Sequence, residues 1–148
     1  MAFDFEIEYK WYEKLFMPFS RLIVAIQDRR DERKYRRDRA KRGYGTKDLS
    51  DMRYWFVRTV SAMLRDIEKD LVGYPEEISE EEWRATLLKM AHLLDVFDVW
   101  DDTVARKDLG LEENDHTAES EKMLCDYKRR AKDEFFELFN KWFYDLGY

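Results

Sequence analysis

From Leu49 onward, apolar residues recur at steps of three and four rather than two. Leu49, Met52, Phe56, Val60, Met63, Ile67 and Leu71 make one continuous helical face. Thr46 or Asp48 can cap its start by accepting a first-turn N–H, and Gly73 with Pro75 ends it. A second helix carries the clearest start signal. Ser79 followed by Glu82 is a capping box, and Ile78 with Trp83 adds a hydrophobic staple. Trp83, Leu87, Met90, Leu94 and Phe97 mark its buried face, with Trp100 one turn beyond. A third helix opens near Thr117 and runs through Leu124, Tyr127, Ala131, Phe135, Leu138, Trp142 and Leu146 to Gly147. The pattern predicts core helices over 46–72, 79–103 and 117–146. The stretch from Thr103 to His116 has no period and reads as a mobile connector.

The N-terminal part follows other rules. Phe3, Phe5, Ile7, Tyr9 and Trp11 alternate with Asp4, Glu6, Glu8 and Lys10, the period of a half-buried strand. No second strand-like run exists to pair with it, so an extended aromatic arm over 1–18 is preferred to a sheet formed across a dimer or with a partner. After Pro18, residues 19–42 read as one helix, apolar at Leu22, Ile23 and Ile26 and then almost wholly charged, until Gly43-Tyr44-Gly45 breaks it. The expectation is an all-α, single-domain chain over 1–148. It would be an antiparallel bundle of about four to five helices with an extended arm.

Composition supports packed helices: 16% of the 148 residues are aromatic, and only five Gly and two Pro interrupt them. Cys125 is the sole cysteine, which excludes an intramolecular disulfide scaffold and fits a reducing cytosol. Within a helix beside Leu124 it reads as a small buried apolar residue. The longest apolar run, Leu22 to Ile26, is far short of the roughly 18 residues that span a bilayer. The first residues also lack the basic flank and apolar core of a signal peptide, so neither export nor membrane insertion is expected.

Charge is distributed unevenly. Residues 28–42 hold nine Arg or Lys against four Asp or Glu, whereas residues 72–126 hold sixteen acids against five bases. Glu80, Glu81 and Glu82 suit a helix N-terminus. Asp95, Asp98, Asp101 and Asp102 oppose the dipole at the far end of the same predicted helix and call for another reason. One reading is a solvated acidic surface. A second is a carboxylate array, Glu76, Glu77, Glu80, Glu81, Asp95, Asp98, Asp101 and Asp102, that imitates nucleic-acid phosphates in a basic groove of a partner. A third is a metal site on His92, Asp95, Asp98 and Asp102, whose spacing of three, three and four places them on one stripe.

The basic segment is also open to several readings. Arg29, Arg30, Arg33, Lys34, Arg36, Arg37 and Arg39, with Lys41 and Arg42, can neutralise phosphates, and Tyr35 or Tyr44 can stack on a base. Interleaved acids such as Glu32 and Asp38 permit i,i+4 pairs with Arg36 and Arg42, as on a solvated helix. Contact with acidic helices, in the same chain or in a homodimer, is the remaining choice. No phosphate loop, dinucleotide fingerprint or H-E-x-x-H pattern is present, and two His with one Cys leave little for nucleophilic catalysis. No catalytic residue, resident metal or cofactor is expected.

Several runs carry a resemblance. Arg42-Gly43-Tyr44-Gly45-Thr46-Lys47-Asp48-Leu49, Tyr54-Trp55, Gly73-Tyr74-Pro75, Glu81-Glu82-Trp83 leading to Lys89-Met90, and Phe135-Phe136-Glu137-Leu138-Phe139-Asn140-Lys141-Trp142-Phe143 are similar to a group of small proteins encoded by tailed bacteriophages and prophages. The likeness covers about two thirds of the chain and departs at Ser50-Asp51-Met52-Arg53-Tyr54, where the group has an Asn-Leu-Asp-Tyr-like run. It implies a phage origin and the cytoplasm of an infected bacterial host. Accessory proteins of that kind often block host machinery. The leading expectation is therefore a non-enzymatic inhibitor whose acidic surface binds a host nucleic-acid-binding or defence protein, such as a CRISPR effector. The alternatives are a nucleic-acid-binding accessory protein using the basic helix and a carboxylate-metal enzyme.

Overall fold

The computed structural model describes the backbone of residues 9–147 and the side chains of residues 21–147. It is all-helical over that range, with α1 at Tyr9–Arg42, α2 at Met52–Lys69, α3 at Glu80–Val96, α4 at Thr103–Leu109 and α5 at Ala118–Trp142. A short 3-10 turn follows at Phe143–Asp145. The chain divides into two compact units, 1–50 and 51–148.

In the first unit, α1 begins at Tyr9, so residues 9–18 are helical where an extended arm is predicted. Pro18 lacks an N–H and is a poor interior residue, yet the helix runs through it. The expected alternation over residues 1–8 lies outside the described residues. Gly43, at φ 77°, turns the chain out of α1, and its N–H donates to Arg39 O at 2.9 Å. Residues 44–50 then fold back on α1. The Tyr35 hydroxyl donates to Asp48 Oδ1 at 2.9 Å, the Gly45 N–H donates to Asp48 Oδ2 at 2.7 Å, and Lys47 reaches Glu32 at 2.9 Å. Asp48 therefore organises this turn instead of capping α2.

The second unit is a bundle built around α3. Arg84 reaches Glu68, Ser61 reaches Asp95 and Arg58 reaches Asp98, so α2 runs antiparallel to α3. Trp83 meets Trp142 edge-on at 5.5 Å and Lys89 pairs with Glu134, so α5 is antiparallel to α3 as well. Trp83, Leu87, Met90 and Leu94 are buried as the spacing predicts, together with Leu124, Ala131, Phe135 and Trp142 of α5. Phe135 sits at the centre of an aromatic cluster, with Phe56, Phe97, Phe136 and Phe139 rings 5.2–6.2 Å away.

Local signals are realised unevenly. Ser79 accepts from the Glu82 N–H at 3.2 Å while Glu82 accepts from the Ser79 N–H at 2.9 Å, completing the capping box. Thr117 caps α5 through the Ser120 N–H. The cap of α2 is Asp51, which accepts from the Tyr54 N–H at 3.1 Å, so α2 starts later than predicted. Its buried face is also turned: Val57, Ser61 and Leu64 are buried, whereas Leu49, Met52 and Met63 are exposed. Leu49 precedes α2, and Met52 and Met63 keep the three-four steps but lie more than about 100° around the helix from Val57.

The predicted mobile connector contains α4. Ala105 is buried, Val104 and Leu109 pack on the core, and Gly110 at φ 67° closes the helix. Buried Arg106 donates to Asp115 O at 2.8 Å and Glu121 Oε1 at 2.6 Å, tying the loop to α5. Seven residues are about two turns, too short for a periodic signal to stand out.

Candidate functional site

The four aspartates of the predicted acidic array lie where α3 gives way to α4. Because α3 stops at Val96, Asp98 sits beyond its C-terminus, and Asp101 and Asp102 lie just ahead of α4, where the dipole favours them. Asp98 is 3% exposed; its Oδ1 accepts from the Trp100 N–H at 2.9 Å and its Oδ2 pairs with Arg58 Nε at 2.9 Å. Asp101 accepts from the Thr103 N–H at 3.0 Å and meets Arg58 Nη2 at 3.4 Å. The bonds from Thr103, then Arg58, hold its carboxyl below the usual carboxylate range. Asp95 pairs with Arg65 and accepts from the Ser61 hydroxyl at 2.7 Å, and Asp102 pairs with Lys128.

These carboxylates thus join α2 and α5 to the end of α3, and each is paired with a cation of the same unit, Asp98 in the interior and Asp101 and Asp102 half-exposed at the surface. The remaining members of the array are split. Glu80 pairs with Arg84, while exposed Glu76, Glu77 and Glu81 have no ion-pair partner among the described residues. Sequence reasoning missed Arg58 and Arg65 as partners. The available signal was their separation of seven on α2, which puts both on one stripe facing an antiparallel neighbour.

The predicted metal stripe is also divided. His92 Nε2 lies 2.7 Å from Asp108 Oδ2, which accepts from the Tyr127 hydroxyl at 2.8 Å; Asp95, Asp98 and Asp102 face cations instead. Among the described residues no three His, Cys, Asp or Glu side chains gather as a ligand set. Burial, with the bond to Asp108, pushes the Tyr127 phenol up to about 12. Cys125, expected to be buried, is exposed.

The basic helix presents a sharper geometry. At 3.6 residues per turn, Asp28, Asp31, Glu32 and Asp38 all fall within about 60° of Tyr35. That is the face on which residues 44–50 fold. Glu32 binds Arg36 at 3.2 Å and Lys47, Asp38 binds Arg42 at 3.2 Å, and Asp48 binds Arg39 at 3.3 Å. Burial opposes ionisation of Asp48, but the Gly45 N–H, the Tyr35 hydroxyl and Arg39 outweigh it and keep the carboxyl below its ordinary value.

Arg29, Arg30, Arg33, Lys34, Arg37 and Lys41 point at least about 100° away from Tyr35. All six are exposed, and none has an ion-pair partner among the described residues. The acids interleaved in sequence fall mainly on the other side of the helix, with Asp31 bordering these cations, so this face is predominantly cationic. Arg36 and Arg39, predicted with this group, are paired, Arg36 with Glu32 at its margin and Arg39 with Asp48 on the Tyr35 side. Tyr35 is committed to Asp48, with Arg39 and Lys47 over its ring at 5.6 and 5.3 Å, and Tyr44 lies under Arg42 at 5.1 Å. Neither offers a clear stacking platform, so the face suits backbone phosphates better than bases.

No described helix is long and apolar enough to cross a membrane. No protein-family model, curated protein or solved structure matches the chain.

Proposed function

We propose that this chain binds nucleic acid through the phosphate backbone, using the face of α1 formed by Arg29, Arg30, Arg33, Lys34, Arg37 and Lys41. The observation that carries the reading is the segregation of charge. By helical angle the four acids of this segment lie on the Tyr35 side and six exposed cations on the other, with exposed Asp31 bordering the groove of Arg30, Arg33, Lys34 and Arg37. Arg30, Arg33 and Arg37 follow one another along about 10 Å of helix, within reach of successive phosphates. Such contacts gain from counterion release and carry little sequence information.

The inhibitor reading draws less support from the geometry. Its aspartates are engaged by Arg58, Arg65 and Lys128, so its partner-facing charge reduces to Glu76, Glu77 and Glu81. Imitation of a polyanion needs carboxylates that a partner can reach unpaired.

Fluorescence anisotropy with mixed-sequence duplex DNA across a salt series tests both. Binding is expected at low salt, with a log–log slope approaching about −5 if all six cations release counterions. Reversal of Arg30, Arg33 and Arg37 to Glu should abolish it. No binding at low salt, or binding indifferent to that reversal, would overturn the proposal. Capture of a basic host protein that is lost on reversing Glu76, Glu77 and Glu81 to Lys would favour the inhibitor.

A further inference from the structure

In the unit 51–148, α2 and α5 both pack against α3, and a groove of about 780 Å³ opens between them. That volume is typical of small-molecule sites. Three rings form its floor: Phe56 stacks on Phe136 at 6.2 Å, and Phe97 stacks on Phe136 at 6.4 Å. Met52 and Val99 wall it and are 72% and 50% exposed, while Phe136 itself is 47% exposed. So much open apolar surface beside a packed aromatic core is costly unless something covers it.

The chemistry of the edges limits what that is. Arg53, Lys128, Arg129 and Lys132 line the groove, and among the described residues no acidic one does. Lys128 is engaged by Asp102. The other three hold only loose pairs, Arg53 with Asp51 at 3.6 Å, Arg129 with Asp126 at 3.3 Å and Lys132 with Asp133 at 3.4 Å, each cation more than half exposed. Exposed pairs of this kind are worth little and yield to a better-placed anion. Residues Cys125 to Phe136 span about 16 Å of α5, long enough to lie beside an extended acyl chain.

We propose that this groove binds an amphiphile with one anionic head, a long-chain carboxylate. The chain lies on Phe56, Phe97 and Phe136, and the head is held by Arg129 and Lys132. Lysine and arginine can contribute their stems to the apolar wall and their charge to the head group.

The single thiol of the chain reports on occupancy, because Cys125 lines the groove and is exposed. The probe is dodecanoate below its micelle concentration, added to the full-length protein, with the rate of Cys125 modification by N-ethylmaleimide and calorimetric stoichiometry as readouts. Dodecanoate should slow modification saturably and bind one to one. Joint Arg129→Ala and Lys132→Ala substitution, both on the surface, should weaken binding about tenfold with helicity unchanged. Equal protection by uncharged dodecyl maltoside would overturn the proposal, as would no protection or protection indifferent to the double substitution. A dimeric mass with Cys125 already shielded in the free protein would also overturn it, by showing the groove filled by a second copy.

Discussion

Arg58 Nε lies 2.9 Å from Asp98 Oδ2, joining a half-exposed guanidinium on α2 to a carboxylate that is almost wholly buried just past α3. The two ends of this pair are not equivalent. Removal of Arg58 leaves the Asp98 charge buried without its cation, whereas removal of Asp98 leaves Arg58 half-exposed beside Asp101 and orphans mainly the Trp100 N–H. Arg58→Ala should cost about 2–3 kcal/mol, at or below the lower end for a broken buried pair because Arg58 is partly solvated. Asp98→Ala should cost about 1–3 kcal/mol from the lost acceptor. Urea unfolding of both variants and the double mutant measures the coupling. Fully additive losses would show that the two side chains do not act together.

A backbone contact controls the turn that folds onto the acidic side of α1. A Cβ placed on Gly45 would clash with the Tyr35 ring and crowd the Tyr35 carbonyl at 3.1 Å, so Gly45→Ala is expected to push the turn off the helix. The carboxylates that the turn holds, Glu32 and Asp48, would then be freed to approach the opposite face. Gly45→Ala should raise hydrogen exchange at Asp48, whose N–H donates to Gly45 O, and at Gly45, while leaving α5 protection unchanged. Exchange at wild-type rates would mean that Tyr35 swings aside without loss.

Much of the core was legible because its signals are local. Ser79 and Glu82 lie three residues apart and cap each other without help from elsewhere. The stripe from Trp83 to Leu94 needs only its own period. The roles of Asp98 and Arg106 were not legible, because each depends on where a turn delivers it. Asp98 looks like the end of a helix in sequence; once α3 stops at Val96, it becomes a buried link to a residue forty positions earlier. The basic helix shows the same limit. Helical angle alone separates its acids from six of its cations, but the fold-back of residues 44–50 onto the acidic side depends on a turn at Gly43 and on contacts such as Tyr35 with Asp48.

Tyr127 yields a prediction in alkali. Its folded pKa, about 12, lies above the ordinary 10 because burial disfavours the phenolate and the hydroxyl donates to Asp108. A raised folded pKa contributes stability that is complete below pH 10 and is lost as pH rises toward 12. Relative to wild type, Tyr127→Phe should lose stability at neutral pH and recover the difference across that window. Phenolate absorbance should show one fewer late-ionising tyrosine in the variant, while Tyr35, raised by its bond to Asp48, stays late in both. Identical alkaline unfolding profiles would remove Tyr127 from the account.

The final expectation concerns Phe135, whose ring is fully buried and touches Phe56 and Phe97 edge-on or tilted at 6.2 and 5.7 Å. Phe135 carries contacts to both other long helices of the bundle, so truncation opens a cavity where all three meet. Phe135→Ala should cost about 3–5 kcal/mol, while Phe135→Leu should recover much of that loss because the hole is smaller. Phe136→Ala, one residue on but half-exposed in the groove, should cost far less. Thermal unfolding of the three variants ranks them. If Phe136→Ala proved as damaging as Phe135→Ala, the groove would belong to the core, and its apolar floor would need no ligand to explain it.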